Sequence, residues 1–213
     1  REIIVDIGLK IIELLGVFFG LLSVLFSKKR NIWVYPTGII STVLFVYLLW
    51  VGRLFGDMLI NAYYTAMSIY GWILWAKNAQ DNVITISATT RRDWQICTLL
   101  GVFSLVFVTA VYYLKPYIKN NFSMQGISLG FHNFLPTEYV DVFTTSIFLI
   151  GMWLMAKRKV ENWVFWILGD LISVPLYLKK GMLFTSFQYF LFTIIAIMGY
   201  REWKQHLRNE TAR

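Results

Sequence analysis

One carboxylate stands in the middle of a long apolar stretch of this sequence. The run NWVFWILGDLISVPLY, residues 162–177, holds Asp170 at its centre, with Trp163 and Trp166 before it and Ser173 after it. At about 100° per residue, these four side chains fall on one face of a helix. An acid at membrane depth is costly unless it faces protein or water and finds partners. We therefore expect Asp170 either to lie in a binding site or to accept hydrogen bonds that hold helices together.

Two further segments carry polar faces of the same kind. Segment 61–75, NAYYTAMSIYGWILW, repeats the spacing with amide, hydroxyl and indole groups, and segment 188–192 adds Gln188, Tyr189 and Phe192. Indole faces stack on flat rings and attract cations, and amides bind carboxamides or sugar hydroxyls. The same amides also serve as interhelical hydrogen-bonding groups. The candidate substrate-binding residues are Asn61, Tyr64, Ser68, Trp72, Trp163, Trp166, Asp170, Ser173, Gln188, Tyr189 and Phe192.

The composition is that of a membrane protein. Of the 213 residues, 57% are hydrophobic and 15% are charged, whereas soluble domains carry about a quarter charged residues. The net charge of +8 fits basic cytoplasmic loops better than a nucleic-acid partner. The single cysteine, Cys97, excludes an intrachain disulfide and a multi-cysteine metal site. The sequence lacks catalytic and nucleotide-binding motifs, so we predict no enzyme activity, no cofactor and no metal.

Long uncharged stretches predict seven transmembrane helices in an all-α protein, since about 20 apolar residues cross a bilayer. Lys and Arg number thirteen on the side of the C-terminus and seven on the other side. This bias places the C-terminus in the cytoplasm and the N-terminus outside. The predicted spans are 8–27, 32–52, 56–76, 94–114, 138–156, 161–179 and 183–203.

Two parts of the chain resemble each other. NIWVYPTG at 31–38 matches NWVFWILG at 162–169 through Trp33 and Trp163, and Gly71 with Trp75 matches Gly199 with Trp203. The chain therefore divides into three spans, one connecting span and three further spans. Corresponding spans of the two repeats lie four spans apart along the chain, so they cross the membrane in the same direction and the repeats are parallel. Transporters built this way bind their substrate near the midplane between the halves. The predicted parts are a first three-helix bundle at 1–77, a linker with a connecting helix (94–114) at 78–137, a second bundle at 138–205 and a cytoplasmic tail at 206–213.

Several other features have local interpretations. Pro175 lies inside the sixth span, where it removes a backbone hydrogen bond and predicts a hinge. Segment 115–137 is long for a loop and is expected to face outward, and such loops are often lids or carry short elements of their own. Four tryptophans lie near span ends, as interfacial residues do: Trp50, Trp75, Trp153 and Trp203.

At these residues the sequence resembles the PnuC family of bacterial vitamin B3-precursor transporters. The matching motifs are N-x-x-Y-x-x-x-S-x-Y-G-W-x-x-W at 61–75, W-x-x-W-x-x-x-D-x-x-x-V-P-L-Y at 163–177 and Q-Y-x-x-F at 188–192. The resemblance covers about residues 11–205 and implies a fold similar to the SWEET sugar facilitators. It implies facilitated diffusion of nicotinamide riboside across the inner membrane, driven by intracellular phosphorylation, and a homo-trimer as a possible assembly.

Three alternatives stay open at this point. Related family members are associated with thiamine or riboflavin. A SWEET-like sugar facilitator also uses tryptophan and asparagine, but a neutral sugar has no need of Asp170. A non-transporting membrane enzyme or subunit would carry catalytic residues at one membrane face, whereas the polar faces here run along span interiors.

Overall fold

The computed structural model describes residues 2–52, 55–77, 85–179, 181 and 183–213, which form an all-helical protein as predicted. The helices are α1 (Glu2–Lys28), α2 (Val34–Val51), α3 (Phe55–Ala76), α4 (Arg91–Tyr113), α5 (Lys115–Lys119), a 3₁₀ helix (Phe131–Asn133), α6 (Pro136–Ala156), α7 (Asn162–Lys179) and α8 (Leu183–Thr211).

Four of these helices, α1, α2, α4 and α6, are long and apolar enough to cross a membrane by length and composition. Helices α3, α7 and α8 also reach a span's length, and α3 and α7 carry polar side chains within their apolar stretches, which lower their mean hydropathy. The chain is therefore a multi-pass membrane protein, and the number of seven spans stays a prediction.

The predicted span boundaries agree with most helices to within a few residues. Helix α1 begins at Glu2, earlier than predicted, and α8 continues to Thr211, well beyond residue 203. Segment 115–137 contains α5 and the 3₁₀ helix, which confirms the expectation of local structure there. Residues 78–84 of the predicted linker lie outside the described residues, as do three of the basic residues used to predict orientation: Arg1, Arg53 and Lys180.

The helices pack in two groups of three. In the first group α1 packs on α2 and α2 on α3, and in the second α6 packs on α7 and α7 on α8. The groups meet through α1 against α8 and α3 against α6, so each group contributes its first and its last helix. Helix α4 packs on α6, where the Ser146 hydroxyl donates to the Gly101 carbonyl at 3.2 Å.

Individual contacts repeat between the two groups at a spacing of 128 residues. Arg30 and Arg158 both have positive φ, 56° and 61°, in the turns after α1 and α6. A Cβ atom on Gly71 would lie 2.5 Å from Cε1 of Tyr35, and one on Gly199 would lie 2.8 Å from Cη2 of Trp163. Both glycines thus allow a ring of the neighbouring helix to lie against the backbone.

This spacing corrects the predicted register of the repeat. The sequence letters matched Trp33 with Trp163, but the residue whose contacts match those of Trp163 is Tyr35. Tyr35 is 1% exposed and Trp163 is also 1% exposed, whereas Trp33 is 53% exposed. Aligning the two identical tryptophans therefore paired the buried Trp163 with the exposed Trp33, whereas its structural counterpart is the buried Tyr35.

Two tryptophan predictions are also wrong. Trp75 and Trp203 were expected at the membrane interface, but both are fully buried between the two groups of helices. Each has a hydrogen-bond acceptor in the other group, which a lipid-facing residue would lack. Trp50, by contrast, is 60% exposed near the end of α2, as an interfacial residue would be.

The end of the linker is attached to the second group. Ser87 pairs with the chain around Lys159, with backbone bonds to Arg158 and Val160 at 3.0 Å each. The Thr89 hydroxyl donates to the Glu161 carboxylate at 2.5 Å. These contacts fix the start of α4, which is capped by Thr90 through a capping box.

Candidate functional site

A row of aromatic rings connects α6, α7 and α8. Phe148 stacks on Trp166 with centroids 5.5 Å apart and on Tyr189 at 6.1 Å. Tyr189 in turn stacks on Tyr177 at 5.1 Å, and Phe192 meets Tyr189 edge-on at 6.0 Å. Stacked and edge-on ring pairs of this kind contribute about 0.5–1.5 kcal/mol each beyond their burial. The rings thus form a stable aromatic surface within the second group.

Polar groups of the site converge on the hydroxyl of Tyr189. Tyr177 is hydrogen-bonded to it, and Asp170 and Tyr64 are close enough to interact with it electrostatically. Tyr64 belongs to α3, so side chains from both groups of helices lie near this hydroxyl. Asp170 is 4% exposed, so its carboxylate is removed from bulk water. The predicted residues Tyr64, Asp170 and Tyr189 therefore lie together.

Glycines on α6 and α7 bring the rings against the helix backbones. A Cβ atom on Gly169 would lie 2.4 Å from Cε1 of Phe148, and one on Gly151 would lie 3.4 Å from Cε2 of Trp166. Asp170 directly follows Gly169 in α7. Only glycine at 169 permits Phe148 to occupy this place without displacement.

One buried donor in the ring row is unpaired. The Nε1 atom of Trp166 is shielded from solvent and has no hydrogen-bond partner in the part of the chain that the structure describes. An unsatisfied buried donor costs about 1–3 kcal/mol. Such a cost is typical of residues that complete their bonding with a ligand or with water.

Two further predicted site residues, Trp163 and Ser173, are buried among other parts of the protein. Trp163 is 1% exposed and packs edge-on against Trp203, with ring centroids 5.6 Å apart. Ser173 is also 1% exposed, and its hydroxyl donates to the Gly169 carbonyl of its own helix at 2.7 Å. A substrate contact of either residue stays a prediction.

The remaining predicted residues are spread over α3 and α8. Ser68 is 3% exposed and its Oγ lies 3.8 Å from where a Cβ on Gly38 would be. Trp72 is 41% exposed, so it has not been drawn into the ring row. Asn61 and Gln188 are half-buried. These two amides lie on the same helices as Tyr64 and Tyr189, respectively.

Sequence reasoning missed Phe148. Its neighbours in α6 are Ile147 and Leu149, so nothing in the local sequence separates it from a packing residue. The available signal was on the other helix, where Gly169 directly precedes Asp170. A glycine within an apolar helix indicates close approach of another group.

No group of three or more His, Cys, Asp or Glu able to hold a metal ion occurs within the described residues. Helices α3, α7 and α8 carry the polar site residues, and their stretches 55–76, 162–178 and 183–200 contain no Lys, Arg or His. The site is thus an aromatic surface with the buried Asp170 carboxylate, and these stretches contain no basic side chain.

The whole chain is similar to known transporters. It is 25% identical over 214 residues to the nicotinamide riboside transporter PnuC of Escherichia coli (strain K12), covering 95% of this chain and 88% of that protein. It is 24% identical over 202 residues to the riboflavin/roseoflavin transporter RibM of Streptomyces davaonensis, covering 93% and 87%. A crystal structure of the vitamin B3 transporter PnuC superposes with a TM-score of 0.66 at 21% identity, covering 93% of this chain and 82% of that one.

A family model described as nicotinamide mononucleotide transporter matches residues 10–205, which is nearly the entire chain. The relatives are transporters, and the predicted absence of enzyme activity agrees with them. The resemblance read from the three sequence motifs is thereby confirmed: this chain is a membrane transporter that belongs to the nicotinamide mononucleotide transporter family.

Proposed function

We propose that this protein carries nicotinamide riboside across the bacterial inner membrane by facilitated diffusion. The observation that supports this proposal is the buried Asp170 beside the ring row of Trp166, Phe148 and Tyr189. Nicotinamide riboside has a flat cationic pyridinium ring, which needs aromatic faces and a nearby negative charge. The relatives that are named nicotinamide riboside transporters agree with this assignment.

The proposed contacts divide the substrate into three parts. The faces of Trp166 and Tyr189 hold the pyridinium ring, and each cation–π contact contributes about 0.5–2 kcal/mol. Asp170 neutralises the ring charge from close by, and Tyr64 closes the site from the opposite group of helices. Asn61 and Gln188 bind the carboxamide and the ribose hydroxyls. Phe192 supports Tyr189 edge-on.

The charges of the site favour the riboside over the mononucleotide. A mononucleotide carries a phosphate, which proteins bind through Arg, Lys or backbone N–H groups. The stretches of α3, α7 and α8 that carry the site contain no basic residue, and Asp170 would repel a phosphate. The riboside presents only the cation and neutral polar groups, so it matches the available side chains.

The proposed architecture is seven spans, with α4 linking a three-helix bundle of α1, α2 and α3 to a second one of α6, α7 and α8. The observed packing order within each group supports it. The substrate passes between the bundles, with the C-terminus in the cytoplasm and the N-terminus outside, and Pro175 acts as a hinge in α7. A homo-trimer in the lipid bilayer is the proposed assembly.

Uptake is proposed to be driven by phosphorylation of the riboside inside the cell. The experiment is uptake of labelled nicotinamide riboside into liposomes that contain the purified protein, with and without an enclosed riboside kinase and ATP. We expect equilibration without the kinase and accumulation with it. Absence of riboside uptake, or accumulation that needs an ion gradient and not the kinase, would refute the proposal. The variant Asp170→Asn should slow the equilibration, while Trp50→Phe serves as a control in an exposed residue.

A further inference from the structure

The two groups of helices differ at one repeated contact. In the first group Gly20 of α1 faces Ser41 of α2, and a Cβ on Gly20 would lie 3.1 Å from the Ser41 Oγ. The residues 128 positions further on are Phe148 of α6 and Gly169 of α7, which face each other in the same way. Two small residues therefore meet in one group, and a ring meets a glycine in the other.

A neighbouring contact shows the same difference. In the first group a Cβ on Gly38 would lie 3.0 Å from the Oγ of Ser23. The residues 128 positions further on are Trp166 and Gly151, and there the glycine faces an indole at 3.4 Å. The first group of three helices thus packs with no aromatic ring at either contact. The rings of Phe148 and Trp166 therefore have no counterpart at these two positions of the first group.

Phe148 is placed where it can limit the space for a ligand ring. It is 8% exposed and stacks on Trp166 and on Tyr189, the two rings proposed to hold the substrate. Its own ring is held by the backbone at Gly169, because α7 leaves no room for it to retreat. Phe148 therefore occupies volume beside the proposed ring-binding faces that a larger ligand ring would need.

We propose that Phe148 determines the size of the aromatic ring system that this transporter admits, restricting it to a single six-membered ring. This inference rests on the proposed function, in that Trp166 and Tyr189 are taken as the ligand-binding faces. Truncation of Phe148 leaves an apolar space of about one phenyl ring, and apolar cavities of about 150 Å³ bind benzene. A fused three-ring isoalloxazine, as in riboflavin, would then extend into it.

The test is calorimetric binding of nicotinamide riboside and of riboflavin to the purified full-length protein and to Phe148→Ala. We expect the wild type to prefer the riboside and the variant to bind riboflavin at least tenfold more tightly than the wild type does. The matched control is Phe143→Ala, on the same helix but 50% exposed, which should keep the wild-type affinities. A wild type that already binds riboflavin as tightly as the riboside would overturn the inference.

Two further variants keep the test decisive if Phe148→Ala fails to fold. In Phe148→Leu the side chain is smaller but still fills the contact with α7. The gain in riboflavin affinity should therefore be in the same direction as in Phe148→Ala, but smaller. Gly169→Ala places a methyl group 2.4 Å from the Phe148 ring, pushing the ring into the site, and should weaken binding of both ligands at least tenfold. Gly8→Ala, with nothing within 4 Å, is its control. Unchanged affinities in folded Phe148→Leu and Gly169→Ala would refute the inference.

The outcomes separate this inference from the proposed function. If the wild type binds no nicotinamide riboside, the proposed function fails, but a gain of riboflavin binding in Phe148→Ala would still support the role of Phe148. If the wild type binds and transports the riboside while Phe148→Ala and Phe148→Leu keep its ligand preference, the proposed function stands and the role of Phe148 is refuted.

Discussion

Trp75 and Trp203 meet in the contact between the two groups of helices, with ring centroids 6.2 Å apart. Each indole donates a hydrogen bond to a carbonyl of the opposite group: Trp75 to Met155 at 3.2 Å and Trp203 to Ser27 at 3.1 Å. Ser27 and Met155 lie at the ends of α1 and α6, beside the basic turns that we place in the cytoplasm. The two halves are thus joined reciprocally at their predicted cytoplasmic end.

Removal of one indole donor should weaken this junction. Trp75→Phe keeps a ring but leaves the Met155 carbonyl without that donor, and we expect a loss of about 1 kcal/mol in the free energy of unfolding. Trp203→Phe should cost a similar amount through Ser27. Because the two rings touch, the double variant should deviate from additivity. The measurement is denaturant unfolding in detergent. Wild-type stability in both single variants would show that the bonds contribute nothing, and Trp50→Phe is the exposed control.

The glycines that admit the rings should tolerate no side chain. Gly71→Ala places a methyl group 2.5 Å from Tyr35, and Gly199→Ala places one 2.8 Å from Trp163, so we expect each to cost about 1–3 kcal/mol through overpacking. Gly8→Ala has open space and should be neutral or stabilising, since alanine is the better helix former. Melting temperatures of the three variants test this. Equal melting of Gly71→Ala and Gly8→Ala would contradict the close contact.

Much of the fold could be predicted from the sequence because apolar runs and polar loops determine where helices begin and end. The second span was predicted at 32–52 and α2 occupies Val34–Val51. Position in the sequence did not predict the surroundings of Trp75 and Trp203. A tryptophan near the end of a span has the same local sequence pattern whether it faces lipid or a second bundle. Only the packing of α3 and α8 against the opposite group distinguishes the two cases.

The candidate site could be predicted in part. Asp170 and Trp166 were recognisable because a carboxylate and an indole on one helical face stand out from an apolar background. Phe148 was not, because its position opposite Gly169 depends on how α6 packs against α7, which no local pattern contains. Trp163 shares the face of Asp170 in the sequence, yet it lies about two turns closer to the start of α7, where it packs against Trp203.

The charge of Asp170 should matter for cationic ligands and not for neutral ones. Asp170→Asn keeps the shape of the side chain but removes its charge, so we expect the affinity for nicotinamide riboside to fall at least tenfold, about 1.4 kcal/mol. The reduced riboside has a neutral ring and should lose little. Stability should hold or increase, since burying a charge is unfavourable. Calorimetry with both ligands is the measurement. An equal loss for both would assign Asp170 a structural role instead.

The ion pair of Lys115 with Glu138 should stabilise the start of α6. Glu138 is 6% exposed, and its carboxylate also accepts from the Leu135 backbone N–H at 3.4 Å. Lys115→Met leaves this buried acid without its cation, and we expect a cost of about 2 kcal/mol. That is less than the 3–5 of a deeply buried pair because the Lys115 side chain is 29% exposed.

Adding Glu138→Gln to Lys115→Met should recover at least half of the lost stability, because the amide retains an acceptor for Leu135 and carries no charge. Lys119→Met, in an exposed residue of the same helix α5, is the matched control and should change the free energy of unfolding by less than about 0.5 kcal/mol. Denaturant unfolding of the three variants measures these differences. If the double variant is no more stable than Lys115→Met alone, the unpaired charge is not the cause of the loss.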